Sequence, residues 1–391
     1  MVFLFPAQFL AARRIALACV AAVAIAAPLP AQAQDDGVEA VSTAGIAGEI
    51  LDTAVDHCRR GESAQALSMF QAIRTQLTPP PAILRMIQDL EATGCIAQEV
   101  TSRRVLRAQV SAGWDSNVSQ GINARSLVLG NGDGAIELEL DESYRPRPSA
   151  FAQAAMDYSL VFPASGVNLQ LGAGLRKNAS APAYDLVSVA AAASRDFKLP
   201  GAVVRVQVEG AEVWLGGHHY LQSQGGGMQA IRSDQDGAWV ATLTGTRIAY
   251  VTQASQNATL WDLGLLREYR IGPAALLQAG FSLQKDKATD MRPGGDRTGY
   301  QLQAGAQLLA QGWRLRPYVS YTSWDSEAYF SPGLLDFKRQ NRTTQLWLQA
   351  EKPLSLQTSL ILEWRGRWSR DTVALYRYTA QVFTATLSRP F

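Results

Sequence analysis

The chain has 391 residues, 47% of them hydrophobic and 18% charged, with a formal net charge of +2. So small an imbalance excludes a nucleic-acid partner held by a basic field. Three histidines and three cysteines leave little material for a metal site, and no cofactor fingerprint is visible, so no cofactor is expected.

In chain order, Arg13 and Arg14 precede an apolar run from Ile15 to Ala27, and Ala31-Gln32-Ala33 stands before Asp35 and Asp36. That order predicts a secretory signal peptide over 1–33, cleaved after Ala33. Beyond it no stretch reaches the apolar length of a membrane helix, so any insertion into a bilayer must use strands. Export puts Cys58 and Cys95 in an oxidising compartment, where pairing is the expectation. The bridge would close a loop of roughly 38 residues, worth on the order of 3–4 kcal/mol in the chain-entropy picture.

Residues 34–102 form the first predicted domain. Ala54, His57, Gly61, Ala66, Leu67, Phe70 and Ile73 mark two amphipathic helices joined at Arg60-Gly61. Pro79-Pro80-Pro81 introduces a third, ending near Thr93-Gly94. The Ala66, Phe70, Ile73 spacing with proline soon after resembles a tetratricopeptide repeat. One and a half repeats are fewer than a free-standing solenoid needs, so the disulfide or a neighbouring domain must support them. His57 reads as packed beside the disulfide, not as a ligand.

From 103 to 391 the period changes to two, and all nine tryptophans lie here. Leu106, Ala108, Val110, Ala112 and Trp114 alternate with Arg107, Gln109, Ser111 and Gly113; comparable alternation runs through Val167–Arg176, Ala275–Gln284, Tyr300–Leu308 and Leu360–Trp368. Short turns at Pro163–Gly166, Leu199–Gly201, Ile271–Pro273, Gln311-Gly312 and Lys352–Leu354 alternate with longer polar connections at 118–148, 178–183, 287–297 and 325–341. The segmentation gives fourteen strands, near 104–117, 149–162, 166–177, 184–198, 202–215, 218–232, 238–251, 257–270, 273–286, 298–310, 313–324, 341–352, 357–369 and 375–391. Twelve is the alternative, because Gly225-Gly226-Gly227 interrupts the sixth and the pattern of the seventh is mixed.

Strands with one apolar and one Gln-, Arg- and Gly-rich face, behind an export signal, predict a mainly β fold: a transmembrane antiparallel up-and-down β-barrel, with a small α-helical domain before it. The last strand ends on Phe391 and places Phe383 and Leu387 on the same face, as the barrel-assembly signal of an outer-membrane protein would. Trp114, Trp214, Trp313, Trp324 and Trp368 are expected in an interfacial girdle. The localisation that follows is the outer membrane, with the helical domain in the periplasm. Outer-membrane lipid, lipopolysaccharide and the barrel-assembly machinery are the expected surroundings.

No catalytic constellation is visible. His218 and His219 are adjacent and read as polar residues of an external connection; no serine elbow or metal-spaced histidine accompanies them, and the chain is expected not to be an enzyme. The alternation of Ile136, Leu138, Leu140 with Glu137, Glu139, Asp141 predicts a short hairpin in the first long connection. Asp286, Asp290, Asp325 and Glu327 are expected to face water beside lipopolysaccharide. The polar face is rich in arginine: Arg107, Arg176, Arg205, Arg314, Arg316, Arg365 and Arg367, with Glu363 among them, are predicted to line the lumen, as are Arg267 and Arg270. Such a lumen is either salt-bridged and stiff or a path for anionic solutes.

Gly113-Trp114-Asp115-Ser116-Asn117-Val118 at the first strand's end, Trp364–Asp371, Leu375-Tyr376-Arg377-Tyr378 and the terminal Phe391 together resemble the surface lipoprotein assembly modifier family. Gly113, Asp115, Asn117, Ser369, Tyr376 and Tyr378 carry the likeness. The chain departs from the pattern at Ser369-Arg370-Asp371 and Thr379-Ala380, and its helical domain is short. The resemblance implies a tetratricopeptide head on a 14-stranded barrel that assists export or surface display of a partner lipoprotein or secreted protein. The alternative from the residues alone is a porin-like channel for small polar or anionic solutes.

Overall fold

The computed structural model describes residues 50–58, 62–76, 79, 81–92, 102–129, 136–271, 275–333, 335–355 and 357–391. The expected signal peptide, the Arg60-Gly61 turn, Thr93-Gly94 and Cys95 lie outside them. Two compact units emerge, one of them holding Arg103–Phe391.

The smaller unit contains three helices, α1 over 50–58, α2 Ser63–Gln76 and α3 Pro81–Ala92. Leu51, Ala54 and Cys58 pack with Ala66, Phe70 and Ile73 of α2 and Ile87 of α3 in a dry core. Residues i, i+4 and i+7 share one stripe of a helix, so Leu67, one position off it, is 44% exposed and not part of the core. His57 accepts the Glu62 backbone N–H on its carbonyl at 2.9 Å and hydrogen-bonds the Glu62 carboxylate through its ring. Cys58 is disulfide-bonded; the pairing with Cys95 falls on a residue outside those described.

The larger unit is a closed antiparallel barrel of fourteen strands. Chain order gives β1 Arg103–Asp115, a two-stranded hairpin of β2 Ser126–Leu129 and β3 Ile136–Glu139, then β4 Ser149–Phe162, β5 Val167–Asn178, β6 Leu186–Leu199 and β7 Ala202–Leu215. There follow β8 His218–Asp234, β9 Gly237–Tyr250, β10 Ala258–Ile271, β11 Ala275–Ala288 and β12 Arg297–Ala310. The wall ends with β13 Trp313–Ser331, β14 Leu335–Pro353, β15 Ser359–Asp371 and β16 Tyr378–Pro390. Every barrel strand pairs with its chain neighbours, and β1 closes on β16 from Arg107↔Pro390 to Asp115↔Val382. Leu106 and Phe391 extend that seam with mutual backbone hydrogen bonds. No backbone edge remains in the wall, which is what a hydrocarbon solvent demands.

Residues directly opposite in a ladder share a face, so the exposed apolar residues fix the outside. Val110, Leu171, Val208, Leu263, Leu283, Leu302 and Leu387 are each about half exposed and point outward, and Phe383 and Phe391 point the same way. Among the described residues no helix is long and apolar enough to cross a membrane; the apolar cylinder does so instead, and the protein is an outer-membrane barrel.

The fourteen strands expected all form, and the alternative of twelve is excluded, because Gly225, Gly226 and Gly227 pair with Thr246, Gly245 and Thr244. Other expectations change. The connection expected at 325–341 is strand: β13 and β14 run on together to Ser331↔Leu335 and turn at Pro332-Gly333, where Gly333 has φ +83. Trp324 faces inward and is buried, with Gly299 leaving room for its ring, so it is no girdle residue. Arg267 shares the outward face with Leu263 and Leu265; it pairs with Asp234 and covers the Trp239 ring. His218 and His219 open β8 instead of lying in a connection, and His219 stacks on Trp214 at 5.5 Å.

Candidate functional site

Arg107, Arg176, Arg205, Arg314, Arg316, Glu363, Arg365 and Arg367 all fall on the inward face by register. Most have partners there. Arg176 pairs with Asp115 at 2.9 Å and lies 3.8 Å over the Phe151 ring. Arg205 grips Asp196 through two hydrogen bonds of 2.6 and 2.8 Å. Arg314 and Arg316 share Glu351 at 3.2 and 3.4 Å. Arg365 pairs with Glu363 at 2.7 Å, and Arg367 covers Tyr378. Arg107 opposes Asp157 across the β1–β4 ladder. Cations and carboxylates on the inward face nearly balance around the whole ring. The exception is the wall β12–β15, where Arg297, Arg314, Arg316, Arg339, Arg365 and Arg367 outnumber Glu351, Glu363 and Asp371.

The two ends of the lumen differ. Both the start of β1 and the end of β16 lie at the end with short turns, which in outer-membrane barrels faces the periplasm. There the inward residues Val105, Arg107, Asp157, Lys198 and Arg270 are exposed, while Val240, Leu276, Gln307 and Ser388 are buried. At the long-loop end the inward residues are buried on nearly every side: Phe151, Asn178, Leu221, Ile248, Tyr250, Asp286, Trp324, Thr343, Asp371 and Tyr378. Among the described residues the lumen is therefore a cup, packed more completely at the long-loop end than at the short-turn end.

The packing has two centres. The first is the segment after β1, which folds inward. Asn117, only 2% exposed, donates from Nδ2 to the Gly121 carbonyl at 2.9 Å and the Thr379 carbonyl at 3.0 Å. Its Oδ1 accepts from the Gly121 N–H at 2.7 Å, and its own N–H goes to Asp115 Oδ1. Val118 and Ile122 are buried alongside. Ser116 exchanges backbone and side-chain bonds with Gln381, Asn123 donates to the Arg377 carbonyl, and Ile122 to the Tyr144 carbonyl. Gly113 is required because a Cβ would stand 2.3 Å from the Phe383 carbonyl and 2.5 Å from the Phe151 ring.

The second centre is a set of buried ion pairs. Arg292 and Arg297 both engage Asp286, and Arg339 bonds Asp371 from Nη2 at 2.8 Å while lying 3.5 Å over the Tyr376 ring. Burial, with Arg297 beside it, holds the Arg292 guanidinium below its usual pKa. Ser369 donates to the Tyr376 carbonyl and accepts from Asn341. Asp286 is thus an interior anchor, not the water-facing residue expected. Asp290 meets Asn257, and Glu327 pairs with Lys285 on the outer face. The predicted hairpin forms as β2–β3, with Glu137 bonded by Ser126. Sequence reasoning missed Arg292, Arg297, Arg339 and Asp371 as a group, since their partners are brought close only by strand register.

All six residues that carry the family likeness gather at this closed end, drawn from both termini of the barrel. Among the described residues no group of side chains has the makings of a metal site.

No protein-family model matches the chain, and no curated protein does. Solved barrels match it at low identity. An anion-selective porin from Comamonas acidovorans is 10% identical with a TM-score of 0.40, covering 74% of this chain and 100% of that one. OmpT, an outer-membrane protein of Vibrio cholerae, is 9% identical with a TM-score of 0.38, over 74% and 98%. Pseudomonas aeruginosa OccK2 in complex with glucuronate is 12% identical with a TM-score of 0.36, over 73% and 98%. Likeness at this level brings no function to the chain. The expectation that the chain is no enzyme is corrected: OmpT stands among the matched barrels, the comparisons exclude no catalysis, and that expectation is withdrawn.

Proposed function

We propose that this chain helps a periplasmic client, a lipoprotein or a secreted protein, to cross or be displayed on the outer membrane. The observation that supports the reading is the cup: among the described residues a polar lumen partly exposed at the short-turn end and packed on nearly every side at the other suits a gated conduit better than a standing pore. The surface lipoprotein assembly modifier resemblance agrees with it, because the residues that bear the likeness are those that hold the closed end together. In this reading the helical unit stands in the periplasm and its tetratricopeptide-like helices receive the client, while lipopolysaccharide surrounds the long-loop rim and the barrel-assembly machinery inserts the chain through its Phe383, Leu387, Phe391 face.

Deleting the gene and shaving intact cells with protease tests this. At least one lipoprotein or secreted protein is expected to lose surface exposure while its total amount is kept; unchanged exposure of every surface protein sinks the proposal. The arginine excess on the β12–β15 wall favours a second reading, a porin-like channel for small anionic solutes, which predicts instead slowed uptake of such solutes with normal surface display.

A further inference from the structure

The outward face of the barrel is mostly apolar, with polar groups toward its rims such as the paired Arg267–Asp234 and Lys285–Glu327 and the exposed Asp325, Arg342 and Arg370; one patch combines unpaired charges with amides and glycines. On β7, β8 and β9, near the long-loop end, it carries Glu212, Gln222, Gln224 and Arg247, all exposed. Register makes the patch continuous: Glu212 opposes Gln222, and Gln224 opposes Arg247. Deeper along the same strands the outward positions are Gly210, Gly226 and Gly245, and the Trp261 ring lies against Gly245. The outer half of β8 thus offers lipid no apolar side chain at all. Glu212 and Arg247 form no ion pair with each other, and neither has a partner among the described residues, although they lie only two strands, about 10 Å, apart.

Between membrane helices, small residues that let backbones approach, with polar side chains beside them, form the contacts, and the same chemistry is available on this face of the barrel. The charges say which protein. Glu212 lies three residues short of the long-loop end of β7 at Leu215, and Arg247 three short of the end of β9 at Tyr250, so they sit at one height. Two copies inserted in the same direction are related by an axis along the membrane normal, and such an axis keeps heights. With the axis at the outer face of β8, Glu212 of each copy meets Arg247 of the other, and Gln222 and Gln224 meet their own equivalents. An amide both donates and accepts, so it pairs with itself. A patch that complements its own copy in this way is the mark of a two-fold interface.

We propose that β7–β9 form the contact of a two-fold homodimer in the outer membrane, joined by reciprocal Glu212–Arg247 pairs around a Gln222–Gln224 centre. Wild-type protein in mild detergent is expected to have the mass of two chains. In native membranes, Gln222→Cys or Gln224→Cys should oxidise to a cross-linked pair of chains. Glu212→Arg and Arg247→Glu should each reduce the cross-linked fraction about tenfold, equivalent to about 1.4 kcal/mol, and the double reversal should restore it. Heat-modifiable gel migration confirms that each variant is folded. A folded wild type of one-chain or three-chain mass overturns the proposal. So does cross-linking only to another protein, or indifference of the cross-link to both charge reversals.

Discussion

Arg339 and Asp371 show how much a single contact holds at the closed end. Their side chains are 13% and 0% exposed, and the pair is backed by Asn341 and the Tyr376 ring. Removing one partner of such a pair leaves an unmatched buried charge, at a cost of about 3–5 kcal/mol. Arg339→Ala should therefore lower the urea midpoint of the folded, heat-modifiable form clearly; a midpoint within error of wild type would mean the pair contributes nothing. Gly113→Ala is expected to cost about 1–3 kcal/mol by overpacking against Phe383 and Phe151, read from the same midpoint. At this scale the sequence was a partial guide. Asp115 and Asn117 were visible as a motif, but their partners Arg176 and Thr379 are distant in the chain, and only the register supplies them. The inward side of Trp324 and the outward side of Arg267 are legible in residue spacing. Trp313 and Trp324 are eleven residues apart on one strand, an odd spacing that puts them on opposite faces. Arg267 follows Leu263 and Leu265 at even spacing, so it must share their face.

At the scale of elements, period two and turn residues located the strands within a few positions, because one buried-or-lipid face fixes the parity of each. The hairpin β13–β14 escaped because Asp325, Glu327 and Lys338 make it look like a polar loop, although Pro332-Gly333 supplies a tight turn. The seam between β1 and β16 has a further property. Segment 116–123 is bonded to Thr379, Gln381 and Arg377, so parting the seam also pulls the closure of the lumen away. Ala112 and Ala385 face each other directly across it. A disulfide made from Ala112→Cys and Ala385→Cys should leave the barrel folded and abolish display of the client until it is reduced. Full display with the bond intact would exclude opening of the seam as part of transport.

For the whole molecule, closure of the wall, its apolar outside and its nearly charge-balanced inside all follow from alternation carried through fourteen strands. What alternation cannot convey is which end of the lumen is open, since that depends on loops folding back and on pairs such as Asp286 with Arg292. The Asn117 segment and the arginine pairs shut the long-loop end of the lumen. Conductance of the purified barrel in planar bilayers tests this closure most directly. Wild-type protein is predicted to be electrically silent, and Asn117→Ala, which removes the bonds to Gly121 and Thr379, to show channel openings. A wild type that conducts steadily, with Asn117→Ala no different, would contradict it.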